Sequence, residues 1–149
     1  MATKEAIITQ VQGTTLLARA ESRHWVVMDG SELFGGSSAG SSPKELLMFA
    51  LGGCTANDVI PILRKKRVPL ERLEIRVTGT VREEHPQVFT EMHIAYTFFG
   101  NNLKPADIER AIELSSTKYC AISAMLAGNV KLTHSYAILP PSPAQQAAG

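Results

Sequence analysis

The sequence lacks the features that mark several large classes of protein. Its 15 basic and 14 acidic residues leave a formal net charge of only +1. Because that charge creates no strong field, we expect no nucleic-acid partner and no attachment to an anionic membrane surface. The first residues contain no basic region followed by an apolar core, so we expect no secretory signal and a cytoplasmic location.

Cysteine and histidine are also scarce, with two and four residues respectively. In the cytoplasm, Cys54 and Cys120 are not expected to form a permanent structural bridge. Each is therefore either a buried thiol or one half of a redox pair, and composition alone favours burial. The histidines are scattered, with no pair at the spacing of metal ligands, and the sequence therefore predicts no metal centre.

The most informative stretch runs from Ser42 to Val68 and is predicted to form one long helix. Ser42 is a suitable N-cap residue, and Pro43 suits the first helical position. Glu45 stands three residues after the cap, where its side chain completes a capping box. The start of this helix is therefore well marked.

The first half of this helix is apolar on every side, because no charged residue occurs between residues 46 and 54. Such a helix must be covered on more than one side. Gly52 and Gly53 allow another backbone to come close, and we predict that a second helix crosses there. The stretch has the length of a membrane span, but Asn57, Asp58 and the two glycines argue against one.

The remaining elements follow from alternation and from helical periodicity. We predict three strands between residues 5 and 28, a strand hairpin over 72–99, helices over 105–114 and about 118–127, and a last strand over 130–139. The order β-β-β-α-β-β-α-α-β describes an α+β protein. We expect one domain over residues 1–139 and a disordered tail over 140–149.

The two cysteines differ in their expected reactivity. Cys120 is predicted in the first turn of a helix and near Lys118, and both features favour a thiolate. Cys54 lies three turns into the long helix, and an ionised Asp58 one turn later would raise its pKa. The residues alone leave open whether either thiol is functional.

Two segments, SPKELLMFALGGCTA and KYCAISAML, resemble the paired signature segments of the OsmC/Ohr family of peroxide-reducing proteins. The likeness covers nearly the whole domain. It implies an OsmC-like fold in which two chains intertwine around paired central helices, with the sites at the interface of the homodimer. It also implies that Cys54 attacks the peroxide and that Cys120 resolves the product.

The resemblance further implies a glutamate and an arginine beside the attacking thiol. The organic-hydroperoxide branch has its glutamate directly after the proline, whereas this chain has Lys44 there and Glu45 one place later. The family's arginine comes from the N-terminal strands, where Arg19 and Arg23 are both available. We choose Arg19, and we expect Glu45 to serve chiefly as a helix cap.

The resemblance thus implies a thiol-dependent peroxidase that reduces hydroperoxides, with organic ones favoured, through a Cys54 and Cys120 redox pair. Such an enzyme needs no metal, haem or flavin cofactor, and a small or protein dithiol regenerates it. The alternative is a non-catalytic homodimer that binds a small apolar ligand in the interfacial cleft.

Overall fold

The computed structural model of the protein describes residues 1–141. Its elements are β1 (Ala6–Gln12), β2 (Thr15–Ala20), β3 (Val26–Met28), α1 (Pro43–Lys65), β4 (Arg72–Val81), β5 (Phe89–Phe99), α2 (Pro105–Leu114), α3 (Ala121–Leu126) and β6 (Lys131–Leu139). This order confirms the predicted α+β class and its succession of strands and helices. Positions 142–149 of the tail predicted over residues 140–149 lie outside the described residues, so its disorder stays a prediction.

The chain forms two compact units, of which the first is Met1–Leu47. Its three strands pair in the order β1-β2-β3, and both pairings are antiparallel, so the three strands predicted between residues 5 and 28 form a meander. The turn between β1 and β2 contains Gly13 at a φ of 57°, in the left-handed region that glycine adopts most readily.

A buried carboxylate anchors the loop after β3. Asp29 is only 3% exposed. It accepts hydrogen bonds from the hydroxyls of Thr14, Thr15 and Ser37 at 2.7, 2.9 and 2.7 Å. The hydrogen bond from Ser37, followed by that from Thr14, holds the pKa of Asp29 well below its usual range. Asp29 is therefore a structural anion, because its hydrogen bonds all serve the local chain.

The second unit begins at Met48 and contains a sheet with the order β4-β5-β6. Strands β4 and β5 are antiparallel and form the predicted hairpin, whereas β5 and β6 are parallel. Parallel neighbours need a crossover connection. Here α2 and α3 lie in that connection.

The core of this unit combines one face of the sheet with the helices. The alternation predicted for β5 is confirmed, since its inward residues are at most 1% exposed. The buried cluster includes Leu51, Val59 and Leu63 from α1, Met92, Ile94, Tyr96 and Phe98 from β5, and Ile108, Ala111 and Ile112 from α2.

The start of α1 matches its prediction. The amide of Ser42 donates to Glu45 Oε2 at 2.7 Å, and the amide of Glu45 donates to Ser42 Oγ at 3.3 Å. This reciprocal pair is a capping box. The helix ends at Lys65, three residues before the predicted Val68.

The two glycines of α1 have different surroundings. A Cβ on Gly52 would lie 3.2 Å from Val77 Cγ2 of β4, so the element of the same chain that approaches Gly52 is a strand. The predicted crossing helix, which a second copy of the chain would supply, stays a prediction. Apart from its own stretch of helix, no heavy atom of residues 1–141 lies within 4 Å of the position of a Cβ on Gly53. By length and apolar composition α1 meets the criterion for a membrane span, but core helices of soluble proteins meet it too.

The last helix begins later than predicted. A π-helical turn spans Ser115–Tyr119, and α3 starts only at Ala121. Cys120 is therefore the N-cap of α3 and not a residue of its first turn. The helix also ends at Leu126, one residue before the predicted end.

Candidate active site

Two elements that are distant in sequence bring Cys54 and Cys120 together. Cys54 lies in the middle of α1, and Cys120 caps α3. Their Sγ atoms and a carboxylate oxygen of Asp58 all lie within 4.8 Å of one another. Both cysteines are free thiols. The pair of sulfurs is called the thiol pair below.

The two thiols differ in their access to solvent. Cys120 is 3% exposed, whereas Cys54 is of intermediate exposure. Burial on α1 follows the stripe that contains Leu51 and Thr55, both of which are fully buried. Cys54 lies beside that stripe and is the thiol of the pair that a solute reaches more easily.

The N-cap position of Cys120 favours its thiolate. The amide of Ser123 donates to Cys120 Sγ at 3.3 Å, as expected when a side chain accepts from the first turn of a helix. Burial raises the pKa of Cys120, but hydrogen bonds from Ser123, from Cys54 and from Thr55 together outweigh burial and lower it. The prediction that Cys120 is the more acidic thiol agrees with this direction.

The surroundings of Cys54, in contrast, raise the pKa of its thiol. Burial raises the pKa of Cys54 most, and the neighbouring Cys120 and Asp58 raise it further, while a hydrogen bond from the amide of Ile122 lowers it. The predicted effect of Asp58 is therefore present. No cation is among the groups that shift this pKa most strongly. A Cys54 thiolate needs a positive charge from elsewhere.

Asp58 is held in place by a residue that sequence reasoning overlooked. The hydroxyl of Ser115, fully buried at the end of α2, donates to Asp58 Oδ2 at 2.9 Å. This hydrogen bond fixes the carboxylate beside the thiol pair. The position of Asp58 one helix turn after Cys54 was predictable, but no pattern along the chain points to Ser115, which is 57 positions from Asp58.

A second pair of polar side chains lies on the neighbouring strands β5 and β6 of the second unit. Tyr96 Oη is 3.3 Å from His134 Nδ1, and the two rings are stacked. Burial lowers the pKa of His134 and thus favours the neutral imidazole, and the charge of His93 acts in the same direction. His134 is partly buried, and its contacts with Tyr96 favour a structural role.

The other two predicted site residues belong to the first unit. Arg19 lies on β2, where its guanidinium carbon is 4.9 Å from the centroid of the Trp25 ring. Glu45 caps α1, and the hydrogen bond from the amide of Ser42 lowers its pKa. The structure therefore brings together the two cysteines of the predicted site. The activating roles of Arg19 and Glu45 stay predictions.

An apolar groove runs along α1 in the second unit. Its cavity volume is about 350 Å³. It is lined by Met48, Phe49, Gly52, Gly53, Ala56 and Ile60 of α1 and by Leu73, Ile75 and Val77 of β4. Phe49 is 59% exposed. An exposed apolar surface of this kind is suited to a ligand or to another protein surface.

Both cysteine segments fall within the range matched by a known family. The model of the OsmC-like protein family matches residues 35–135. Protein YhfA of Escherichia coli (strain K12) is 38% identical over 135 residues, which cover 91% of this chain and 98% of YhfA.

Solved structures show the same fold. A hypothetical protein from Aquifex aeolicus superimposes with a TM-score of 0.83 at 29% identity, over 95% of this chain and 100% of that one. An organic hydroperoxide resistance protein from Legionella pneumophila superimposes with a TM-score of 0.69 at 14% identity, over 92% and 98% of the two chains. At that identity the similarity establishes a shared fold alone.

Proposed function

Since the chain belongs to the OsmC-like protein family, we propose that it is a cytoplasmic, thiol-dependent peroxidase that reduces organic hydroperoxides. The observation that carries the proposal is the meeting of two free thiols from separate elements, Cys54 and Cys120, within 4.8 Å. The Legionella pneumophila protein with the same fold is named for organic hydroperoxide resistance.

Cys54 is the attacking thiol because it is the more accessible of the two. Its thiolate sulfur attacks one oxygen of the peroxide and the O–O bond breaks. The departing alkoxide takes up a proton and leaves as the alcohol, while Cys54 becomes a sulfenic acid. The reaction needs no metal, haem or flavin.

Cys120 is suited to the second step. Its lowered pKa supplies a thiolate that attacks the Cys54 sulfur, the hydroxyl leaves as water, and a disulfide forms. The two sulfurs must then approach to about 2.05 Å, which moves them by less than about 3 Å from their present separation. A small or protein dithiol reduces the disulfide and returns both thiols.

Activation of Cys54 requires a cation, because burial and its neighbours raise its pKa. We assign this role to Arg19, delivered by a second copy of the chain, with Glu45 available to orient the guanidinium. This assignment rests on the family resemblance and on the need for a positive charge at the thiol pair.

A homodimer completes the proposal. The apolar groove of α1 and the exposed ring of Phe49 leave part of the long helix uncovered by its own chain. A second copy placed on this surface would bury it.

The groove also supports a second candidate function. Its walls are apolar, so a non-catalytic dimer could bind a small apolar ligand there, although Cys54 and Cys120 are not among the residues that line it. Steady-state turnover of cumene hydroperoxide with a dithiol separates the two functions. A turnover no faster than that of the buffer with dithiol would favour ligand binding.

Single-turnover chemistry tests the roles of the two thiols. We expect stoichiometric peroxide to remove both free thiols of the wild type, and we expect Cys54→Ser to consume no peroxide. Cys120→Ser should consume about one equivalent and leave a sulfenic acid on Cys54 that a dimedone probe traps. A sulfenic acid trapped on Cys120 in the Cys54→Ser protein would reverse the roles.

A further inference from the structure

The thiol pair is part of a larger group of metal-binding atoms. Cys54 Sγ, Cys120 Sγ and a carboxylate oxygen of Asp58 lie within 4.8 Å of one another. Each side chain offers one ligand atom. Cys120 is buried, and the other two are of intermediate exposure. The proposed peroxidase cycle uses the two sulfurs but gives no role to the carboxylate.

The three ligand atoms are positioned by regular structure. Cys54 and Asp58 are four residues apart on α1, the spacing that places two side chains one above the other on a helix face. Cys120 is fixed by its hydrogen bond as the N-cap of α3, and Asp58 by its hydrogen bond to Ser115. Both anchoring bonds leave further lone pairs free on the sulfur and on the carboxylate.

The distances suit a small tetrahedral ion. Zinc binds thiolate sulfur at about 2.3 Å and carboxylate oxygen at about 2.0 to 2.2 Å, so its ligand atoms lie about 3.5 to 3.8 Å apart. Each pair in this cluster therefore needs to approach by about 1.3 Å at most. Side-chain rotation of Cys54 and Asp58 is sufficient for a change of that size.

We propose that the reduced protein binds one Zn²⁺ ion per chain through Cys54, Cys120 and Asp58, with water as the fourth ligand. Two thiolates and one carboxylate match the preference of this ion for sulfur and oxygen ligands, and thiolates disfavour Mg²⁺ and Ca²⁺. Binding displaces the two thiol protons and leaves the carboxylate ionised. The ion is a reversible ligand of the reduced state and is not a cofactor of the peroxidase.

Zinc binding would affect the proposed peroxidase reaction. This effect, unlike zinc binding itself, rests on the proposed function. Both sulfurs would be bound to the metal, so neither would be free to attack a peroxide or to form the disulfide. Zinc would therefore inhibit peroxide reduction and protect the thiols, whereas oxidation to the disulfide would prevent zinc binding.

Binding is tested on the reduced full-length protein without peroxide. Co²⁺ serves as the spectroscopic probe, because thiolate ligands produce sulfur-to-cobalt charge-transfer absorption. Zn²⁺ affinity is then measured by competition with a chromophoric chelator. We expect one Co²⁺ per chain, displacement of Co²⁺ by Zn²⁺, and no binding to the disulfide form.

Three variants and one control identify the ligands. Asp58→Asn should weaken Zn²⁺ binding by roughly tenfold or more, and Cys54→Ser or Cys120→Ser by a larger factor. Asp107→Asn removes an exposed carboxylate that pairs with Lys66 in the same unit and should bind as the wild type does. Melting temperatures identify any variant that fails to fold. If one does, the charge-transfer spectrum of the wild type still tests whether the metal binds through thiolates.

The proposal would be wrong if the reduced wild type gave no sulfur-to-cobalt absorption. It would also be wrong if a folded Asp58→Asn bound Zn²⁺ as tightly as the wild type, because the carboxylate would then not be a ligand. Peroxide turnover is assayed separately in the presence of a chelator. A protein that binds zinc but reduces no peroxide would overturn the proposed function and leave this site intact.

Discussion

The two faces of α1 are both apolar in sequence but differ in their surroundings. On one face Leu51, Val59 and Leu63 are fully buried in the core of the second unit. On the other, Phe49 is 59% exposed and Gly53 faces open space. The comparison teaches that the apolar pattern of a helix predicts that it must be covered, but not which surface covers it.

The largest effect on stability is expected on the buried face. Leu51→Ala should lower the free energy of unfolding by about 2 to 5 kcal/mol, because it removes buried methyl groups and leaves a cavity. Urea unfolding at a fixed protein concentration measures the change. Leu33→Ala is the matched control, since that side chain is 85% exposed, and it should change stability by less than about 0.5 kcal/mol. Equal losses in the two variants would contradict the assignment of the buried face.

A substitution on the exposed face is expected to weaken the proposed homodimer. Phe49→Glu should raise the dissociation constant of the proposed homodimer by roughly tenfold to a hundredfold, since burial of a phenylalanine contributes about 1.5 to 3 kcal/mol. Sedimentation equilibrium measures it. Met125→Glu, at a 68% exposed position of α3, is the control and should leave the dimer unchanged. A wild type that is monomeric at micromolar concentration would remove the basis for the dimer.

Substitutions at the adjacent Gly52 and Gly53 compare the buried and the exposed face of α1 directly. Gly52→Leu should destabilise the fold by about 1 to 3 kcal/mol, because its Cβ alone would already lie 3.2 Å from Val77 Cγ2. Gly53→Leu has open space in its own chain and should instead weaken dimerisation. Thermal unfolding and sedimentation, applied to both variants, separate the two effects. If Gly53→Leu lowered the melting temperature but left the dissociation constant of the dimer unchanged, the two faces would be wrongly assigned.

The smallest effect is expected at the capped end of α1. Ser42→Ala should cost about 1 kcal/mol of stability, because one helix amide loses its acceptor. Glu45→Gln keeps the capping geometry but removes the charge, so it should leave stability nearly unchanged. Peroxide turnover of the same variant then tests the second role proposed for Glu45. A loss of turnover without a loss of stability would assign Glu45 to the site as well as to the cap.

Sequence reasoning succeeded where the deciding interaction is local. The capping box joins residues three positions apart, and the alternation along β5 repeats every second residue, so both were predictable. It was wrong at the start of α3, because the π-helical turn before it leaves no periodic signal. It did not predict that β4 approaches Gly52, since a glycine indicates a close approach without identifying the partner.

The candidate site shows the same division. The elements, their order, the family resemblance and the two cysteines could be read from the sequence, because these depend on patterns along the chain. Packing adds the contact between Ser115 and Asp58 and the meeting of the two sulfurs, through which each thiol shifts the pKa of the other. The physical reason is that burial and charge act through space, and residues 54, 58, 115 and 120 become neighbours only when α1, α2 and α3 pack.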